Sequence, residues 1–167
     1  SSSSRVSVGF VSSWFCNSAV GRLMLGLIRE LDRTKFFVHL FHVRSLNGQL
    51  NSDESMTPQF YAVADATHVI GVDPNAIGGG DLASGNVLLA AAASTIESAG
   101  VSVLVFCDIG MDPSTYLLAF HRFAPVQVVF WGHPFTSGIP VDSVDYYILP
   151  GGAEEEEVGG RRGGGRK

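Results

Sequence analysis

The sequence contains little cysteine, few basic residues and no long hydrophobic run. Cys16 and Cys107 stand far apart, without a C-x-x-C spacing or a set of further metal ligands, so we predict two buried, reduced thiols and no metal. No apolar stretch approaches the roughly 18 residues of a membrane span. The first residues, SSSSR, lack the charged-then-apolar layout of a signal peptide. These absences predict a protein that binds no membrane and resides in the cytoplasm, the nucleus or both.

The sequence has fewer basic than acidic residues, 11 against 16, which gives a net charge of −5. Residues 151–167 hold four acids and four bases, which leaves 12 acids and 7 bases in residues 1–150. A mildly acidic body without a basic stripe argues against nucleic-acid binding. With 46% hydrophobic residues in a chain of 167, the composition fits one domain with a substantial core.

Strand-like and helix-like segments alternate along the chain. Hydrophobic periodicity predicts strands at residues 5–11, 36–43, 67–72, 101–107, 125–131 and 144–149, with helices at residues 20–31, 56–64, 86–99 and 113–123. Parallel strands need crossover connections, which are usually helical. The order therefore predicts an α/β fold with an open parallel sheet and flanking helices.

The two ends of the chain differ from this pattern. We expect residues 1–4 to be disordered, residues 5–150 to form the folded lobe, and residues 151–167 to form a low-complexity tail. The tail, GGAEEEEVGGRRGGGRK, has too little apolar surface to offset the entropy of its backbone. We predict that it is disordered.

Ligands of an open parallel sheet bind beyond the carboxyl ends of its strands. Three segments follow predicted strands at that edge: residues 12–21, 108–112 and 131–140. The first is not a G-x-G-x-x-G fingerprint, so a dinucleotide-dependent dehydrogenase is not favoured. In the second, DIGMDP, the carboxylates of Asp108 and Asp112 are expected to cap the next helix.

Three segments resemble the catalytic region of the O-GlcNAc transferases, a family that includes the SPINDLY-like proteins of plants. RVSVGFVSSWFCNSAVGRLM is similar to the start of that region. FHRFAPVQVVFWGHPFTSGIPVDSVDYYI contains the family's A-P-x-Q entry into a strand and a glycine-proline turn, WGHPFTSG, after it. Between them, Asp65 and His68 are similar to a short acidic-x-x-His element. The resemblance covers residues 5–150.

The resemblance implies the N-terminal, Rossmann-like, acceptor-side lobe of a two-lobe GT-B glycosyltransferase. The intact enzyme would transfer N-acetylglucosamine from UDP-GlcNAc to serine or threonine of proteins, with the UDP-sugar as donor substrate and no cofactor. Most nucleotide contacts belong to the family's C-terminal lobe, which is missing from this sequence. We therefore expect the chain alone to be inactive and its partners to be the donor, a protein acceptor and that second lobe.

The resemblance also implies site residues. His68 is the catalytic candidate, and Asp65 would orient it or act as a base. Trp131 is expected to fill the core at the end of its strand. Gly132 would allow close approach of the backbone to a sugar because it lacks a Cβ. The predicted substrate-binding residues are Ser18, Gly132, His133, Pro134, Thr136 and Ser137.

Two positions depart from the family pattern. Ser18 and Arg22 stand where family members commonly have histidines, and a hydroxyl cannot accept a proton near neutral pH as an imidazole can. This departure favours an alternative, a non-catalytic α/β binding or scaffold module that kept the fold. A related protein N-glucosyltransferase, which modifies asparagine, is the other alternative within the enzyme class.

Overall fold

A computed structural model describes residues 5–44, 53–71, 82–131, 137–140 and 142–149. Strands and helices alternate through these ranges as the sequence predicts. The elements in chain order are β1 (Val6–Ser12), α1 (Ala19–Glu30), β2 (Phe36–Val43), a 3₁₀ turn (Glu54–Met56), α2 (Thr57–Val63), β3 (Ala66–Ile70), α3 (Leu82–Ala99), β4 (Val103–Phe106), α4 (Pro113–Leu118), β5 (Val126–Phe130) and β6 (Tyr146–Ile148).

Helix α4 is shorter than predicted, because it was expected to reach residue 123 and ends at Leu118. After Leu118, the N–H groups of Phe120 and His121 donate to carbonyls only three residues back, those of Leu117 and Leu118, so the α-helical pattern ends. The backbone N–H of Phe123 donates to the side-chain oxygen of Gln127 at 2.7 Å, so it does not continue the helical pattern. Hydrophobic periodicity does not show that a polar side chain, that of Gln127, accepts a hydrogen bond from the backbone at the end of the predicted helix.

The six strands form one parallel sheet in the order β3-β2-β1-β4-β5-β6. The open parallel sheet with flanking helices is therefore confirmed. The central strand β1 pairs with β2 on one side and β4 on the other, and the chain reverses its direction of travel across the sheet between them. In sheets of this order, the crevice beyond the carboxyl ends of the two central strands is the usual ligand site.

Side chains that alternate along the strands build two core layers, one on each face of the sheet. On β1, for example, Phe10 packs into one layer and Val11 into the other. Helices α1 and α2 cover the first face, and α3 and α4 cover the second. The first layer includes Phe10, Phe15, Met24, Ile28, Leu40 and Phe60. The second includes Val11, Phe41, Ala92, Ile96, Leu104, Phe106 and Leu118.

Residues 1–4 and 150–167, including the predicted tail, lie outside the described residues. In the described part of the chain, no helix combines the length and apolar character needed to cross a membrane.

Candidate functional site

A buried carboxyl group joins the ends of the two central strands. Asp108 follows β4 and is 2% exposed. Its Oδ2 accepts a hydrogen bond from the Ser12 hydroxyl at 3.0 Å and another from the Ser13 N–H at 2.8 Å. These hydrogen bonds join the ends of β1 and β4 at the carboxyl edge of the sheet, between the two strands where the chain reverses its direction across the sheet.

Only one of the two predicted caps of α4 is present. The side chain of Asp112 accepts hydrogen bonds from the N–H groups of Ser114 and Thr115, as an N-cap does. The cap assigned to Asp108 was wrong, because its carboxylate contacts the residues after β1. The sequence pattern favoured two caps because both carboxylates precede a helix within a few residues.

The carboxyl group of Asp108 has an unusual proton affinity. Burial raises its pKa to about 6, and the negative charge of Asp112 adds to the increase. The Ser13 N–H and the hydroxyls of Thr115 and Ser12 act in the opposite direction but do not offset the burial. A buried carboxyl that titrates near neutral pH at a ligand-binding edge is typical of functional sites.

An open depression of about 350 Å³ lies directly after Asp108. The described residues that line it are Gly110, Met111, Asp112, Pro113 and Tyr116. Gly110 has a φ of 89°, and a Cβ built there would meet no atom within 4 Å, so the backbone faces open space. The depression can therefore admit a group close to the main chain.

Tyr116 connects this depression to the predicted substrate-binding Ser137. The Tyr116 hydroxyl donates to the Ser137 carbonyl at 2.9 Å, and the Ser137 hydroxyl lies 3.3 Å from that of Tyr147. Gly138 has a φ of 68°, and a Cβ there would approach the Tyr116 oxygen to 3.1 Å. Ser137 thus lies beside the depression, whereas Gly132, His133, Pro134 and Thr136 lie outside the described residues.

Ser18 is the N-cap of α1. Its side-chain oxygen accepts a hydrogen bond from the Gly21 N–H at 2.9 Å. Arg22 donates to the side-chain oxygen of Asn17 at 2.9 Å, and Asn17 donates to Asp53 at 2.6 Å. Ser18 and Arg22 therefore stabilise the loop after β1, and substrate binding by Ser18 stays a prediction.

The structure places His68 on β3, which is separated from β4 by the two strands β2 and β1. Its Nε2 lies 3.2 Å from Nδ1 of His39, and its ring stacks on Phe41 with centroids 4.8 Å apart. Burial lowers the pKa of His68 and of His39, and the neighbouring His68 lowers that of His39 further. One nitrogen of His68 is thus used within the histidine pair.

Asp65 lies at the amino end of β3, away from the carboxyl edge. Its Oδ1 accepts from Arg5 at 3.2 Å and its Oδ2 from the Val38 N–H at 2.8 Å. Among the described residues, no hydrogen bond joins Asp65 to His68, so the structure does not bring the catalytic pair together. The catalytic roles of both residues stay predictions.

Trp131 does not fill the core, so that expectation was wrong. Its side chain is 55% exposed at the carboxyl end of β5 and stacks on Phe130 with ring centroids 5.7 Å apart. Its φ of 59° is in the left-handed region, and its N–H donates to the Ile148 carbonyl at 2.8 Å. The strand pattern predicted burial because it cannot show that the backbone turns at this residue.

Replacing Trp131 with glycine is therefore expected to change the free energy of unfolding by no more than about 1 kcal/mol, because relief of the left-handed strain offsets the lost stacking. Phe41→Ala in the core should cost about 3–5 kcal/mol. Urea denaturation of both variants measures the difference. A loss at Trp131 as large as that at Phe41 would show that the indole supports the fold.

Within the described ranges, no three side chains of histidine, cysteine, aspartate or glutamate converge on a possible metal position. No protein-family model matches the sequence, and no curated protein matches it. Among solved structures, the chain is similar to a point mutant of the O-GlcNAc transferase of Thermobaculum terrenum, with a TM-score of 0.60 and 22% identity. The likeness is one of fold. It covers 88% of this chain and 24% of that protein, so the chain spans about a quarter of the transferase's length.

Proposed function

We propose that this chain is the acceptor-side lobe of a protein O-GlcNAc-transferase-like glycosyltransferase. The observation that carries the proposal is the likeness in fold to an O-GlcNAc transferase over 88% of the chain. Two of the three segments that resemble the family contribute residues to the carboxyl edge of the sheet, Ser12 in one and Ser137 in the other. With a second lobe present, the enzyme would transfer N-acetylglucosamine from UDP-GlcNAc to serine or threonine of a protein.

The charges around the depression support binding of the donor's diphosphate by a second lobe and not by this one. Among the described residues that line it, Asp112 has an acidic side chain and none has a basic one. The buried Asp108 adds a second carboxyl nearby. Such a surface does not attract the diphosphate of a UDP-sugar, whose binding normally requires cationic side chains or helix N-termini. We therefore assign the diphosphate to the second lobe.

In the proposed reaction, the acceptor hydroxyl oxygen forms a bond to the anomeric carbon while the bond from that carbon to the UDP oxygen breaks. The hydroxyl proton passes to a base, and UDP leaves as the diphosphate. This lobe would hold the acceptor next to the sugar, which lowers the entropy cost of bringing the two together. The second lobe would stabilise the negative charge on the leaving group.

A fusion of this chain with the C-terminal lobe of an O-GlcNAc transferase tests the proposal. The fusion is expected to transfer N-acetylglucosamine from UDP-GlcNAc to a serine or threonine peptide, measured by mass spectrometry. The chain alone should transfer none, because the proposal assigns the diphosphate of the donor to the second lobe.

The same assay separates the alternatives. Transfer of glucose from UDP-glucose to asparagine would favour the N-glucosyltransferase. A fusion that folds and binds a protein partner but transfers neither sugar would favour the scaffold module and contradict the proposed function.

A further inference from the structure

Asp108 links the end of β1 to the loop after β4. The Ser12 hydroxyl, at the last residue of β1, and the Ser13 N–H both donate to Oδ2 of Asp108. The Ser12 oxygen also accepts from the Trp14 N–H at 2.8 Å, which closes a tight turn. The loop after β4 continues from Asp108 to residues that line the depression. The position of the turn at residues 12–14 therefore depends on a carboxyl of the loop that leads to the depression.

The second oxygen of this carboxyl is poorly satisfied. Oδ1 is buried and accepts no hydrogen bond of normal geometry from the described residues, although the Thr115 hydroxyl lies near enough to favour the ionised form. Asp112 on the following turn repels a charge at Asp108, and the buried Cys107 thiol is its neighbour in the chain. A carboxylate buried without full hydrogen bonding destabilises a fold, so its presence here indicates a role beyond stability.

We propose that Asp108 is a positioning residue at the carboxyl edge of the sheet: its carboxylate holds the turn of residues 12–14 against the loop after β4, and gaining a proton releases that turn. The consequence for sugar transfer rests on the proposed function. The proton-dependent contact itself does not.

The direction of the effect follows from the hydrogen bonds. Bonds to an ionised acceptor are stronger than bonds to a neutral one, so the Ser13 N–H is held tightly when Asp108 is charged. The folded pKa of about 6 exceeds the ordinary value of 3.8, so protonation also stabilises the fold relative to the unfolded chain. This contribution is fully present below pH 3.8 and is lost as the pH rises through about 6. As the pH rises through about 6, the turn is therefore held more tightly while the free energy of unfolding falls.

Backbone NMR of the 167-residue chain between pH 4.5 and 8 tests this. The Ser13 amide proton is expected to shift with a midpoint near pH 6 and to exchange more slowly with solvent above it. In Asp108→Asn this titration should disappear. Two further variants that keep Asp108 make opposite predictions.

Ser12→Ala removes a hydrogen bond that lowers the pKa of Asp108, so the Ser13 midpoint should move to higher pH. Asp112→Asn removes a charge that raises it and retains a good helix cap, so the midpoint should move to lower pH. A Ser13 amide that does not titrate, or midpoints that fail to move in opposite directions, would overturn the proposal even if Asp108→Asn does not fold.

In the two-lobe fusion, kcat/KM should fall on the acid side of its pH profile with the same midpoint as the NMR titration of the Ser13 amide. This should hold for the wild type and for the Ser12→Ala and Asp112→Asn variants. An active fusion whose acid limb stays fixed would overturn the positioning role. A fusion that is inactive in the wild type would contradict the proposed function. The NMR titration would still test whether the contact between Asp108 and Ser13 depends on the protonation of Asp108.

Discussion

Gly21→Ala is expected to lower the free energy of unfolding by at least about 3 kcal/mol, which corresponds to roughly 6–12 °C in Tm for a chain of this size. Gly21 lies in the first turn of α1, where a Cβ would stand 1.9 Å from the carbonyl oxygen of Cys16 and 3.1 Å from the hydroxyl oxygen of Ser18. The nearest atom belongs to the backbone, so no side-chain rotation can relieve the clash. The loop after β1 would have to move away from the helix.

Gly26→Ala in the same helix is the matched control. Gly26 is exposed, and a Cβ there would meet no atom within 4 Å. Alanine is a better helix former than glycine by about 1 kcal/mol, so this variant should be more stable than the wild type. Thermal and urea denaturation of the pair measure both effects. Equal behaviour of the two variants would show that the loop does not contact Gly21 in solution.

The contact at Gly21 also matters for the proposed site. Cys16 and Ser18 belong to the loop that leads from β1 to α1, the same loop whose start is held by Asp108. We therefore expect Gly21→Ala to weaken transfer by the two-lobe fusion even at temperatures where the variant is folded.

Gln127→Leu is expected to destabilise the chain by about 2–4 kcal/mol, because one buried and two part-buried backbone groups lose their hydrogen-bond partner. Gln127 on β5 is fully buried. Its side-chain oxygen accepts from the Phe123 N–H, and its amide nitrogen donates to the carbonyls of His121 at 3.0 Å and Ser143 at 2.6 Å. The side chain thus ties the segment before β5 to the segment before β6.

Gln59→Leu controls for the chemistry of the substitution, since Gln59 is exposed on α2 and should tolerate leucine within about 0.5 kcal/mol. Urea denaturation measures the free energy of unfolding of both variants, and equal slopes of the curves allow the two values to be compared. If Gln127→Leu proved as mild as the control, the hydrogen bonds of this side chain would contribute little in solution.

Residue patterns were sufficient to predict the strands and helices of the described chain, because periodicity records which face each element buries. They were insufficient where a side chain acts on distant backbone. The motif A-P-x-Q contains Gln127 but assigns its side chain no role, because the three backbone groups that it bonds lie on segments that only the folded chain brings together. Asp108 was misassigned for the same reason, because its partners Ser12 and Ser13 are more than 90 residues away. Trp131 was misassigned because its left-handed backbone leaves no mark in the hydrophobic pattern.

The position of β1 at the centre of the sheet has a consequence for how the chain reaches its native state. Val8 on β1 pairs with Val103 on β4, so one side of β1 stays unpaired until a strand 95 residues further along the chain has been synthesised. Contacts of such sequence separation slow folding, and the exposed edge of an apolar strand can meanwhile pair with another chain. We expect refolding from urea to be slow and to yield more aggregate as protein concentration rises.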